Sequence, residues 1–136
     1  VDANKAPEEV IGKLPTATTE DLDLALNAAH KAFQSWRRSS PLERSKILRK
    51  VAELTRERVD EIARNITLDM GKPLAEARTE VLNCAEQAEW HAEECRRIYG
   101  RTIPPRVEGV RQSVTKEPVG VCAKWLRPWG QVALWF

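Results

Sequence analysis

The stretch Ser40-Pro41-Leu42-Glu43 decides the fold because it marks the start of a long helix. The serine hydroxyl and the glutamate carboxylate can each accept a hydrogen bond from the other residue's backbone amide, and a proline at the first helical position has no amide to leave unsatisfied. Apolar residues then recur at helical spacing as far as Met70. We therefore predict a helix over 41–69 with a buried face of Ile47, Val51, Leu54, Ile62 and Ile66, flanked by Leu48, Thr55 and Val59.

The next signal along the chain, Gly71-Lys72-Pro73, predicts a tight turn into a further helix. Glycine adopts the left-handed conformation that ends many helices, and proline is favoured at the first position of the next one. This helix is predicted over 73–99, with Gly100 as its stop. Its apolar face is rich in alanine, which indicates a closely packed neighbour, and it holds Leu74, Ala77, Val81, Ala85, Ala88, Ala92 and Cys95.

On the N-terminal side of the opening stretch, a first helix is predicted over 19–38. Thr18 or Thr19 can cap its free amides, and Glu20 and Asp21 lie in the first turn, where the helix dipole favours negative charge. Apolar residues follow at alternating spacings of four and three, namely Leu22, Leu26, Ala29, Phe33 and Trp36. This pattern predicts one buried stripe.

The composition changes after Pro104-Pro105, where short apolar runs replace the helical pattern. We predict two strands, over 107–115 and 119–123, on either side of Glu117-Pro118. The predicted fold class is therefore mainly α, with three long helices and a C-terminal strand pair. Two strands are too few to form a sheet alone, so we expect them to pair with other strands.

Length, composition and charge restrict the possible functions. The 136 residues predict one domain with a modest core, and 42% hydrophobic content fits a globular protein. The 22 basic and 20 acidic residues leave a net charge of +2 without a basic patch, which argues against nucleic-acid binding. No apolar run approaches the roughly 20 residues of a membrane span. We therefore expect a cytoplasmic protein with neither a nucleic acid nor a membrane as partner.

The candidate nucleophiles are three cysteines, Cys84, Cys95 and Cys122. Their number and spacing are untypical of a disulfide framework or a zinc site, so reduced thiols are expected. A thiol nucleophile needs a base, and His91, four residues before Cys95, invites that interpretation. No oxyanion site or third orienting group accompanies the pair, and cysteine is commonly a small buried hydrophobe. We therefore predict no catalytic residue in this chain.

Paired carboxylates such as Glu86 and Glu89 suggest either acid–base chemistry or metal binding. No histidine or aspartate completes a set of metal ligands around them. Charged residues at these positions are typical of a solvated helix face. We predict that face and no metal site.

Five sequence signatures occur in order between residues 9 and 123, and in that order they resemble the aldehyde dehydrogenase superfamily, especially its succinate-semialdehyde-type branch. They are Glu9-Val10-Ile11-Gly12-Lys13-Leu14-Pro15, Ala32-Phe33-Gln34-Ser35-Trp36, Pro41-Leu42-Glu43-Arg44-Ser45-Lys46-Ile47-Leu48, Asp69-Met70-Gly71-Lys72-Pro73-Leu74-Ala75-Glu76-Ala77, and Lys116-Glu117-Pro118-Val119-Gly120-Val121. The first resembles the strand that precedes the first helix of the family. One such signature is weak evidence, whereas five in order are specific.

The resemblance implies a large α/β subunit, in which this region supplies peripheral helices of the cofactor domain and strands of an arm that joins the oligomer's sheets. The family oxidises aldehydes to acids through a cysteine thiohemiacetal, hydride transfer to NAD or NADP, and thioester hydrolysis. The expected nucleophile cysteine and general-base glutamate would lie beyond Phe136. Pro128 and Trp129 are the candidate cofactor-binding residues, and Gly130 follows them where the family has its oxyanion-hole asparagine.

These observations divide the chain into residues 1–123, an N-terminal portion of an aldehyde dehydrogenase-like subunit, and residues 124–136, a divergent aromatic tail. The expected function is that of a truncated or partial NAD(P)-dependent aldehyde dehydrogenase, with succinate semialdehyde as the candidate substrate of the full-length parent. Alone, the chain is expected to be inactive, to bind NAD or NADP only weakly, and to self-associate. The alternative is a non-catalytic helical interaction or oligomerisation module. A third reading, an unrelated small enzyme that uses His91 and Cys95, lacks any supporting group.

Overall fold

The computed structural model describes residues 2–6, 9–13 and 15–122. In these ranges the chain forms four α-helices, a 3-10 turn at Cys95–Arg97 and two antiparallel strand pairs. The elements in chain order are β1 (Asp2–Ala6), β2 (Glu9–Lys13), α1 (Thr19–Trp36), α2 (Pro41–Glu57), α3 (Val59–Met70), α4 (Leu74–Glu94), β3 (Arg101–Ile103) and β4 (Gln112–Val114). The prediction of a mainly α chain with a C-terminal strand pair is confirmed.

Capping boxes fix the first residues of α1 and α2. The Ser40 hydroxyl accepts a 3.1 Å hydrogen bond from the Glu43 amide, and the Glu43 carboxylate accepts a 2.9 Å bond from the Ser40 amide. Thr18 and Asp21 form the same reciprocal pair at the start of α1. Both predicted starts are confirmed because these local interactions need no partner elsewhere in the chain.

The predicted single helix over 41–69 is wrong in one respect, because the chain bends at Arg58 into α2 and α3. Arg58 has φ −107° and ψ 19°, outside helical geometry, although its amide still donates to the carbonyl oxygen of Leu54 at 3.2 Å. Neither glycine nor proline occurs at the bend. The bend instead follows from packing, since α2 and α3 both contact α4 along different parts of its length. Gly71, with φ 77°, ends α3 as predicted.

Two small clusters along α4 form the core. At one end, Ala77 and Val81 of α4 pack against residues of α3, namely Ala63 and Ile66, with Val59 and Ile62 at the margin. At the other end, Ala85 and Ala88 pack against Ala52 of α2. The predicted alanine-rich face is therefore confirmed over 77–92, where Ala77, Val81, Ala85, Ala88 and Ala92 are all buried. Small side chains let the helices approach closely along this face.

The predicted buried face of the second helix needs correction. Leu54 is 37% exposed and Ile47 is 49% exposed, so neither belongs to the core. The buried residues of α2 are Ser45 and Ala52, which lie on a neighbouring face. The apolar stripe was too broad to fix which side faces α4, because both small and large residues recur at helical spacing.

Helix α1 contributes nothing to this core. In the described part of the chain, no residue of α1 is buried and the helix packs against no other element over more than a marginal contact. Its predicted stripe is half-buried at Leu22 and Phe33 and exposed at Leu26 and Trp36. The helix was also predicted to reach residue 38 and ends at Trp36.

The predicted helix over 73–99 similarly ends early, at Glu94, and is followed by the 3-10 turn.

The C-terminal strand pair consists of different strands from those predicted. β4 lies inside the predicted strand over 107–115, but its partner is β3, with Arg101 opposite Val114 and Ile103 opposite Gln112. Residues 119–122 form no strand, and residue 123 lies outside the described residues. Proline cannot donate to a ladder, so Pro104 stops β3, and Pro118 similarly disfavours continuing β4.

An N-terminal strand pair completes the described structure. β2 occupies the segment that resembles the strand before the family's first helix, so that expectation is confirmed. β1, which was not predicted, pairs antiparallel with it, with Asp2 opposite Lys13 and Ala6 opposite Glu9. β1 also contacts α3.

Candidate functional site

The segment that resembles the start of the cofactor domain forms neither helix nor strand over residues 115–122. Val119 is 97% exposed, and Gly120 has φ 123°, a conformation that side-chain-bearing residues rarely adopt. The candidate cofactor-binding residues Pro128 and Trp129 lie outside the described residues, as does the tail 124–136. Their assignment stays a prediction.

The three cysteines are free and lie in three different environments. Cys84 is buried in α4, and its burial raises the pKa of the thiol, which disfavours the reactive thiolate. Cys122 is exposed, and its Sγ lies 3.9 Å from the carbonyl oxygen of Gly120. Cys95 is half-buried where α4 ends, one helical turn after His91. Buried Cys84 thus fits a packing role.

Glu89 takes part in a structural ion pair. Its two carboxylate oxygens accept hydrogen bonds from both terminal nitrogens of Arg56, at 2.6 and 2.7 Å. These bonds lower the pKa of Glu89 and raise that of Arg56. The pair joins α2 to α4 beside the buried alanines, while Glu86 is exposed. This arrangement supports the predicted solvated helix face rather than paired acid–base groups.

The described residues contain neither a grouped set of metal ligands nor a helix suited to span a membrane. Across residues 2–6, 9–13 and 15–122, no three His, Cys, Asp or Glu side chains are grouped closely enough to hold a metal ion. Over the same residues, no helix combines the length and the apolar character needed to cross a membrane.

The described residues do not form a site that fits a dinucleotide. A dinucleotide phosphate is typically bound at a glycine-rich turn that leads into a helix N-terminus. The turn before α4 has a left-handed glycine, Gly71, but Lys72 is engaged by the carboxylate of Glu80, and Pro73 removes one amide from the turn. This turn, within the described part of the chain, therefore lacks the free amides and the free lysine that a dinucleotide phosphate would need.

Sequence reasoning missed one polar surface. Arg49, Glu93, Arg96, Arg97 and Tyr99 line an open cavity where α4 ends. The charged side chains come from two helices and the 3-10 turn, so no local sequence pattern joins them. The only available signal was the run Arg96-Arg97, which a helix C-terminus explains equally well.

Comparison with known proteins identifies relatives of the chain. Residues 2–134 match the aldehyde dehydrogenase family. The chain is 45% identical over 126 residues to a glutarate-semialdehyde dehydrogenase of Pseudomonas putida, covering 93% of this chain and 26% of the relative. It is 41% identical over 126 residues to the NADP(+) succinate-semialdehyde dehydrogenase GabD of Escherichia coli, with the same coverage of 93% and 26%. The chain thus spans about a quarter of the length of these relatives.

Solved structures give the same result for the fold. A succinate-semialdehyde dehydrogenase from Burkholderia pseudomallei superposes with a TM-score of 0.81 at 37% identity, over 89% of this chain and 25% of that chain. A betaine aldehyde dehydrogenase variant from Staphylococcus aureus, in complex with NAD+, superposes with a TM-score of 0.80 at 30% identity, over 88% and 24%. The described helices and strands therefore occur together within a larger α/β fold.

Proposed function

Because this chain belongs to the aldehyde dehydrogenase family, we propose that it is part of an NAD(P)-dependent enzyme that oxidises a semialdehyde to the corresponding dicarboxylic acid. The observation that best supports this proposal is the 45% identity to a glutarate-semialdehyde dehydrogenase. In the proposed reaction, the aldehyde and water give the acid, and a hydride passes to the nicotinamide with release of one proton. Succinate semialdehyde is the first substrate to test, since two of the compared relatives carry that name.

Within such an enzyme, the role of the described residues is structural. Helices α2, α3 and α4 form the packed unit, with an alanine-rich seam and the Arg56–Glu89 ion pair between helices. The exposed apolar residues of α1, Leu24, Leu26 and Trp36, are available to pack against further parts of a larger subunit. Pro128 and Trp129 are proposed to form one wall of the cofactor pocket. Residues 1–123 and 124–136 remain the proposed division of the chain, and the proposed location is the cytoplasm.

The 136-residue chain alone is proposed to be catalytically inactive and to bind NAD or NADP weakly. This proposal rests on the described thiols, since Cys84 is buried with a raised pKa and the Cys122 thiol lies against a backbone carbonyl oxygen rather than a general base. The test is purification of this chain and measurement of NADH or NADPH formation with succinate and glutarate semialdehyde. No formation above a protein-free control is expected. Turnover that disappears in Cys122→Ala would overturn the proposal.

The native gene product provides the test of the parent function. Its intact mass shows whether it extends beyond Phe136, and the same assay on that product tests semialdehyde oxidation. A longer product that reduces NAD or NADP with either semialdehyde supports the proposed enzyme. A longer product that oxidises neither semialdehyde contradicts the proposed substrate class.

We propose, second, that the chain self-associates. Self-association is also what the alternative function, a non-catalytic interaction or oligomerisation module, requires. The observation in its favour is the exposed apolar surface of α1 together with the short, exposed strands β3 and β4. Exposed strand edges can pair with other strands, and exposed apolar patches can be buried against other surfaces. The simplest partner for both is an identical copy of the chain. Light scattering at micromolar concentration is expected to give a mass above that of the monomer. A sharp monomer mass, unchanged by deletion of 124–136, contradicts association.

A further inference from the structure

The surface where α4 ends brings three arginines together. Arg49 comes from α2, whereas Arg96 and Arg97 belong to the 3-10 turn, which packs against α2. With Glu93 and Tyr99 they line an open cavity of about 320 Å³, which we call the arginine cavity. The volume lies at the lower end of the range for small-molecule sites, about 300–1,000 Å³.

Its charged groups are incompletely paired. Three guanidinium groups line the cavity, and two carboxylates offset them in part, that of Glu93 in the lining and that of Glu94, which pairs with Arg97. The Arg49–Glu93 separation is 3.8 Å, too long for a hydrogen bond, and Arg97 is bonded to the neighbouring Glu94. Over the described residues, Arg96 forms no ion pair. The cavity therefore keeps an excess of positive charge with free donor capacity.

A structural explanation covers part of this arrangement. Basic side chains in the last turn of a helix interact favourably with the dipole, which is sufficient reason for Arg96 and Arg97. Arg49, from the middle of α2, has a partial explanation of its own in the 3.8 Å ion pair with Glu93, which links α2 to α4. It nevertheless lines the same cavity as Arg96. Convergence from two elements distinguishes this surface from an ordinary basic helix end.

We propose that the arginine cavity binds a small phosphate-bearing anion, either inorganic phosphate or a phosphomonoester. Guanidinium groups bind phosphate oxygens bidentately, and Arg96 and Arg49 supply two such groups from different directions. Tyr99, which is 70% exposed, also lines the cavity, and its hydroxyl can donate a further hydrogen bond. Glu93 then acts as an internal competitor that holds Arg49 loosely when the anion is absent.

The test is an amide NMR titration of the full chain with sodium phosphate, and in a second arm with glycerol phosphate, against sodium chloride at matched ionic strength. Saturable shifts confined to residues 93–100 and to the residues of α2 next to Arg49 are expected for phosphate and absent for chloride. Tighter binding of glycerol phosphate would identify a phosphomonoester as the ligand, and equal or weaker binding would identify phosphate itself. Shifts equal to those in chloride overturn the proposal.

Three variants make the test specific. Arg96→Ala is expected to weaken binding about tenfold, since a charged hydrogen-bonding partner is lost. Arg38→Ala removes an exposed arginine outside the cavity and is the matched control, with no change expected. Glu93→Gln is expected to tighten binding because it frees Arg49. A purely structural role for Glu93 predicts no tightening, so unchanged or weaker binding in Glu93→Gln contradicts the proposed competition.

Discussion

Truncation of Val81 tests the position of the core more directly than any other single change. Val81 is 1% exposed and packs against Ala63, Ile66 and Ala77, so Val81→Ala removes two fully buried methyl groups. At about 0.8 kcal/mol for each, with a further term for the cavity left behind, the expected loss is about 2–3 kcal/mol of unfolding free energy. Leu54→Ala is the matched comparison. Leu54 is 37% exposed, so its truncation is expected to cost only about 1 kcal/mol.

Urea unfolding and thermal unfolding, both followed by circular dichroism, measure the stability of both variants. For a chain of this length, 1 kcal/mol corresponds to a melting shift of about 4 °C, so Val81→Ala is expected to melt about 8–12 °C lower. Measurements at two concentrations tenfold apart separate folding from association, because association makes the midpoint depend on concentration. An equal or larger loss for Leu54→Ala at both concentrations would refute the described packing of α2.

Three further changes test a close contact, an ion pair and a cap. In Gly100→Ala, the new methyl group meets the backbone carbonyl oxygen of Val114, so faster hydrogen exchange is expected in β4 but not in α4; unchanged exchange would contradict this contact. Arg56 holds the pKa of Glu89 low, so the stabilisation is complete above the unfolded pKa of about 4.3 and is lost as pH falls through the lower folded pKa. The difference in urea midpoint between native chain and Glu89→Gln should therefore shrink from about pH 5 to pH 3, and a constant difference would show that the pair is not responsible. Ser40→Ala should lose about 1 kcal/mol, measured by the same unfolding assay, and no loss would mean that the cap is not formed in solution.

The features predicted correctly from sequence are those that depend on neighbours in the chain. The hydroxyl cap at Thr18, the capping box at Ser40 and the stop at Gly71 use residues only a few positions apart, so a single sequence contains the whole interaction. The reciprocal bond of Asp21 at the start of α1 was not predicted. The alanine-rich face of α4 was also predictable from sequence, because its periodicity extends along most of this 21-residue helix. Family resemblance likewise came from short local signatures and was confirmed by the match over 2–134.

The features predicted wrongly depend on distant partners. The bend at Arg58 has no local breaker and arises because α3 and α2 meet α4 at different places. The partner of β4 proved to be β3, and choosing between β3 and residues 119–122 required knowledge of where the chain turns. The arginine cavity needed Arg49, which is far in sequence from Arg96. Contacts of this kind are set by tertiary packing, which composition and periodicity do not specify.

Helices α1 and α4 differ in how their apolar faces are covered, and this difference bears on function. Both helices have an apolar stripe at helical spacing, but only that of α4 is covered by other described residues. An amphipathic pattern indicates that a face is suited to burial and leaves the identity of its partner open. A further part of a larger subunit and a second copy of this chain are the two proposed partners. Measuring the stability of α1 at different protein concentrations distinguishes the two partners. Contact with a second copy makes this stability depend on concentration, whereas contact within one subunit does not.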